Sequence, residues 1–198
     1  MEAVAERLPA RAVILDLGGG AGRYRASLQR DRHIYFCLDI AQALRPDIIA
    51  DAIRIPVHSG AAALVVCAQL LEHVPRPHDV MAEISRIMAD TGLAVILAPQ
   101  THAIHMAPHD YFRFTRYGLA ALATDAGLEV LQIRAVSGWA GVVAGVLERN
   151  TVPSHVSGLL RQAIHMLLFG PARLMDLADA ERHDTNGYYM LLRKRRSG

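Results

Sequence analysis

The sequence predicts an α/β fold: a doubly wound, mostly parallel seven-stranded sheet with a helical insertion before the last strand. Three observations carry this. Apolar runs of strand length alternate with segments of helical period over most of the chain, the pattern of successive βαβ units. The first run breaks into four glycines, Gly18, Gly19, Gly20 and Gly22, which a helix interior would resist because each costs about 1 kcal/mol against Ala. Residues 137–186, between the last two strands, form a segment too long for an ordinary connection and should hold helices of their own.

Strands are expected near residues 12–16, 33–38, 47–50, 62–67, 93–98, 129–136 and 187–193. The first ends in the glycine loop, whose Gly18, Gly20 and Gly22 allow positive φ, and residues 23–30 start a helix with its N-terminal amides toward that loop. A second helix spans His78 to Ala89, with Val80, Met81, Ile84, Ile87 and Met88 on one face, and stops at Gly92. Thr115 caps a third, with Leu119, Leu122 and Ala126 inward and Gly127 closing it. The 137–186 segment offers Trp139, Val142, Val143, Val146 and Leu147, then an apolar run around residues 159–171, enough for two or three helices with strongly hydrophobic faces. Such helices suit packing on the core, a second subunit in a homodimer, or a lid over a hydrophobic or lipid-linked acceptor.

Composition narrows the function classes. With 198 residues and 52% hydrophobic content, one domain spanning 1–198 is expected. A formal charge of +2 does not point to nucleic acid, and the basic tail at 193–196 reads as a solvated terminus. Cys37 and Cys67 lie inside apolar strands, as reduced thiols of a cytoplasmic protein would. Glu2 and Glu6 without an apolar stretch give no signal peptide, and the longest uncharged apolar run, Gly138 to Leu147, is too short to span a bilayer. Lys194 is the only lysine, so P-loop, Schiff-base and lysine-dependent dehydrogenase chemistries lose their central residue.

The spacing around the glycine loop decides between ligands. The dinucleotide pattern G-x-G-x-x-G fails, since Arg23 or Arg25 occupies its last position. Asp16-x-Gly18-x-Gly20-x-Gly22 instead resembles the [DE]-x-G-x-G-x-G motif of the class I S-adenosylmethionine-dependent methyltransferases, of the type 11 kind. Three further segments match in order: PheCysLeuAspIle ending at Asp39, IleIleAlaAspAla around Asp51, and AlaGlnLeuLeuGluHisVal at the end of the fourth strand. One position departs, with Ala63 where many relatives carry an Asp. The resemblance covers roughly residues 12–136 and the last strand. It implies a Rossmann-like methyltransferase fold and S-adenosylmethionine as cofactor. The cofactor residues it implies are Asp16, Gly18, Gly19, Gly20, Gly22, Asp39, Ile40, Asp51, Ala52 and Gln69, with Asp39 accepting the ribose hydroxyls and Asp51 the adenine amino group.

Methyl transfer from a sulfonium is an in-line displacement, so alignment of the acceptor is the enzyme's main task, and a base matters only for a weakly acidic hydroxyl or a protonated amine. The candidates follow the fourth and fifth strands: His73, then His102, His105, His109 and Asp110. Catalytic or acceptor-positioning roles are assigned to His73, His109 and Asp110. The stretch His105 to Thr115 resembles the H-x-x-P-x-D-[YF]-[YF]-R-[YF]-T loop of a methyltransferase subgroup, where an Asp110–Arg113 ion pair is an equally good structural reading. His102, His105 and His109 would converge on a metal only along a helix, and Pro108 opposes one, so no metal site is assigned. The expected reaction is O- or N-methylation of a small-molecule or glycan acceptor. The alternatives are an RNA or protein methyltransferase, or a non-catalytic module that binds adenosylmethionine.

Overall fold

The computed structural model describes residues 1–29, 32–153, 156 and 158–195. Arg30, in the segment expected to be helical after the glycine loop, and Arg196 of the basic tail lie outside them. Seven strands form one sheet: β1 (Val13–Leu17), β2 (Ile34–Asp39), β3 (Ile48–Ile49), β4 (Ala62–Ala68), β5 (Met88–Pro99), β6 (Leu128–Ala135) and β7 (Gly187–Lys194). Their order is β3-β2-β1-β4-β5-β7-β6. All neighbours are parallel except β7, which runs antiparallel between β5 and β6. The strand order reverses between β1 and β4, with β1 leading outward to β2 and β4 leading outward to β5, so the loops after β1 and β4 diverge and leave a crevice.

The central strands read as unbroken apolar runs because both faces are buried. Leu15, Val65, Cys67, Ala94 and Ile96 point into one core with Val80, Met81, Ile84 and Ile87 of α3 (Pro77–Ile87) and Leu119 and Leu122 of α4 (Arg116–Asp125). Ile14, Cys37, Leu64, Val66 and Val95 point the other way. That second face is covered more lightly, by the single-turn helices α1 (Glu2–Ala5) and α2 (Arg25–Leu28). The helix after the glycine loop is thus far shorter than the sequence predicts. Both cysteines are buried and unpaired.

Two boundaries differ from expectation for one reason. Helix α3 ends at Ile87 rather than Ala89, and Met88 pairs with Ala62 as the first residue of β5. Gly92 therefore does not close a helix. It lies where a Cβ would come within 2.8 Å of the Ala62 carbonyl, at the irregular start of the β4–β5 ladder. The expected cap at Thr115 is present, its hydroxyl accepting from the Gly118 amide at 3.1 Å, and Gly127 takes a positive φ after α4.

The insertion forms two helices, α5 (Trp139–Thr151) and α6 (Gly158–Asp176), which share a small core of Ala140, Ala144 and Ala172 with Leu168 and Phe169. Among the described residues, no helix is long and apolar enough to cross a membrane.

Candidate active site

The glycine loop leaves β1 at Leu17 and is fastened to the end of β2. The Gly18 amide donates to the Leu38 carbonyl at 2.8 Å, and the Gly20 amide to Asp39 Oδ2 at 2.9 Å. Asp39 Oδ1 accepts from the Ala41 amide at 2.8 Å. Each of its oxygens keeps one lone pair for a further donor. Gly18 adopts φ +65° and Leu70 stands 2.9 Å from where its Cβ would be, so both conformation and space demand glycine. At Gly19 a Cβ would sit 2.5 Å from Asp16 Oδ2.

Asp16 is the unusual member. Its carboxyl is wholly buried, accepts the Tyr35 hydroxyl through Oδ2, and has no partner at Oδ1. Burial pushes it up to about 6, against the pull of the Tyr35 hydroxyl and of Arg23. An unpartnered oxygen beneath a glycine cradle is a place for a cationic or donor group to be received. Tyr35, which fixes this carboxyl, was not singled out in the sequence. Its place in an apolar run of β2 gave no sign of the role.

The remaining cofactor candidates follow the next strand ends. Ile40 is 70% exposed just beyond β2. Asp51 lies past β3, its side chain exposed and accepting the Ile53 amide at 3.1 Å, while Ala52 is buried in the core. Gln69 follows β4 directly, with φ +55°, and donates its amide to the Leu97 carbonyl at 2.8 Å. The sheet order therefore brings all ten residues to one edge, along β3, β2, β1 and β4.

Beyond β4 the chain makes a 3-10 turn, Leu71–His73, and the loop after β5 folds back over it. The Tyr111 amide donates to the Glu72 carbonyl at 2.8 Å, and His73 Nδ1 lies 2.6 Å from the His109 carbonyl, so that nitrogen carries the proton. Asp110 is 2% exposed and gripped by both terminal nitrogens of Arg113, at 2.7 and 2.8 Å. It also accepts the His105 amide at 2.9 Å. The Arg113 bonds first and the His105 amide next hold its carboxyl well below the usual carboxylate range, which makes it a poor proton acceptor. The ion pair read from the sequence is thus formed. His109 stays exposed, with Nδ1 3.1 Å from the Tyr111 hydroxyl. His102, Ile104, Asp110, Tyr111, Phe112 and Arg113 line a shallow cavity of about 250 Å³ beside it. His102, His105 and His109 do not converge. His105 lies between His102 and His73, ring centres 4.6 Å from each, edge-on to His73.

Residues 15–96 match the model of a methyltransferase domain. The fold is the Rossmann-like methyltransferase fold. No curated protein matches the chain in sequence. Among solved structures, the [4+2]-cyclase SpnF is 18% identical over 99% of this chain and 80% of its own, with a TM-score of 0.65. A putative sarcosine dimethylglycine methyltransferase from Galdieria sulphuraria is 19% identical over 97% of this chain and 82% of its own, TM-score 0.62. The 1,6-didemethyltoxoflavin-N1-methyltransferase of Burkholderia thailandensis, solved with its acceptor and S-adenosylhomocysteine, is 16% identical over 94% and 72%, TM-score 0.60. The methyltransferase fold is therefore shared along nearly the whole chain, insertion included. The residues present here fit such a cofactor: the chain has a buried carboxylate oxygen without a partner, and a glycine loop that side chains would obstruct.

Proposed function

We propose that this methyltransferase methylates an oxygen or nitrogen of a small-molecule or glycan acceptor. The observation that carries the proposal is the alignment of Asp16, the glycine loop, Asp39, Asp51 and Gln69 along four adjacent strand ends, with the imidazoles of His73 and His109 on the turn and loop that continue the same edge. Bound S-adenosylmethionine supplies an electrophilic methyl on a sulfonium. Asp39 offers its two remaining lone pairs to the ribose hydroxyls, and Asp51 accepts the adenine amino group. Asp16 faces the cationic end, Ile40 flanks the base, and the Ala52 amide donates to its ring. The acceptor lies over the loop after β5, where Asp110 and Arg113 keep the loop in shape. His73 and His109 are the side chains able to take a proton from a hydroxyl or ammonium acceptor.

The helical insertion is the lid or subunit contact. Its exposed Leu159, Leu160, Met166, Leu167, Leu174 and Leu177 support a hydrophobic or lipid-linked part of the acceptor, or a second copy of the chain. Buried reduced cysteines support a cytoplasmic location. The mild net charge of +2 favours a small acceptor over RNA. The cyclase among the structural neighbours favours a second reading, in which the donor-binding fold serves another reaction.

Calorimetry and thermal unfolding with S-adenosylmethionine and S-adenosylhomocysteine test the first step. At about 100 times its dissociation constant either ligand adds about 2.7 kcal/mol. Absence of heat with both, alongside binding of NAD, would overturn the proposal. Binding without methyl transfer to any acceptor in a broad panel would favour the second reading.

A further inference from the structure

Glu72, His73 and His105 each bring one ligand atom within 4.8 Å of the other two, a grouping that the methyl-transfer reaction does not require. Glu72 is wholly buried, and neither of its carboxylate oxygens has a hydrogen-bond partner. A native carboxyl left in that state is costly, and neutralising it does not remove the problem, because the acid's own hydroxyl then lacks an acceptor. The two histidines are oriented to help it. His73 Nδ1 donates to the His109 carbonyl at 2.6 Å, which leaves Nε2 with its lone pair, 3.9 Å from Glu72 Oε1. His105 Nδ1 lies 3.2 Å from the Ala103 carbonyl and 3.5 Å from Asp110 Oδ2. Its Nε2 is thereby left as the acceptor nitrogen as well.

A carbonyl or carboxylate behind each imidazole is the arrangement that fixes the tautomer of a metal-ligating histidine. Ligand atoms on a tetrahedral Zn²⁺ lie about 3.3 Å apart, so the Glu72–His73 edge, at 3.9 Å, needs to close by about 0.6 Å, and no edge of the group, all within 4.8 Å, by more than about 1.5 Å. Two imidazoles and one carboxylate exclude Mg²⁺ and Ca²⁺, which take oxygen ligands, and match the three-ligand sites that keep a fourth position open.

We propose that Glu72, His73 and His105 bind one divalent transition-metal ion of the Zn²⁺ type, clasping the loop after β5 onto the turn after β4. Its fourth position opens on the side where His105 is 30% exposed and is taken by water or by an acceptor oxygen. His73 then serves as a ligand, and the role of base falls to His109.

The test is calorimetric titration of chelator-stripped full-length protein with Zn²⁺ alone, without methyl donor, so that its result is independent of the methyl-transfer reading. One ion per chain is expected. His105→Ala removes a ligand from the partly exposed side and should weaken binding by about 100-fold or more, beyond what loss of an outer partner costs. Glu72→Gln should do the same. His165→Ala, on α6, should leave it unchanged. Should Glu72→Gln fail to fold, Co²⁺ loaded into wild type and His105→Ala gives the same information, since the visible bands of an imidazole-ligated site must disappear in the variant. No binding of Zn²⁺ by the wild type, or equal affinity in wild type and His105→Ala, would overturn the proposal.

Discussion

Asp16→Asn isolates the electrostatic cost that the cofactor site carries before any ligand arrives. The wild-type carboxyl is wholly buried beneath the glycine loop with one oxygen unpartnered, and burial lifts it from 3.8 to about 6. That difference corresponds to about 3 kcal/mol between its two protonation states. The folded protein holds this proton more tightly than the unfolded chain does. The resulting contribution to stability is therefore fully present below about pH 4 and is lost as pH rises through about 6. Asn keeps an acceptor for the Tyr35 hydroxyl and is neutral at every pH. The gap in unfolding free energy, variant minus wild type, should grow by about 3 kcal/mol between about pH 4 and about pH 7. Urea unfolding at several pH values in that window measures it. Asp47, Glu83 and Asp110, whose partners hold them low, are common to both proteins and cancel in the difference. Affinity for the cationic cofactor should move in the opposite sense, increasing through about pH 6 in the wild type as Asp16 ionises and staying weak and flat in the variant. A stability gap that is constant across the window, or that widens toward acid, would refute the idea that Asp16 is held at a cost in the empty site.

Asp39→Ala removes the acceptor of both the Gly20 and Ala41 amides together with the proposed ribose contact. Calorimetry should show S-adenosylmethionine affinity reduced by about 1.5 to 3 kcal/mol, with the fold retained. Asp176→Ala tests the root of the insertion, because this buried carboxylate at the end of α6 accepts from the Gly138, Ala140 and Gly141 amides at 2.7, 3.1 and 3.4 Å. Its loss should cost about 2 kcal/mol or more and accelerate hydrogen exchange at the start of α5, whereas strand amides of β1 and β4 should be unaffected.

What could be read in the sequence was what is local. A strand buried on both faces announces itself as a continuous apolar run, so β1, β2, β4 and β7 fall within a residue or two of their expected limits. The glycine loop and Asp39 were legible for a related reason: they belong to one βαβ unit, and short-range geometry sets their spacing. Where contacts between distant segments decide, the sequence carried no mark. Met88 and Ala89 look helical in isolation and become strand only because β4 is there to pair with them. Asp176 looks like a solvated charge near the end of an apolar helix, yet it caps α5 from 38 residues away. The histidines show the point most sharply. Along the chain His102, His105 and His109 form the natural set, but the bond between His73 and the His109 carbonyl, 36 residues apart, accompanies a fold of the loop in which His105 keeps His102 beside it and also meets His73 and the buried Glu72. A grouping drawn from two segments cannot be read from spacing within one loop. The burial of Glu72 likewise depends on a distant segment, since the loop after β5 folds back onto its backbone through the Tyr111 amide.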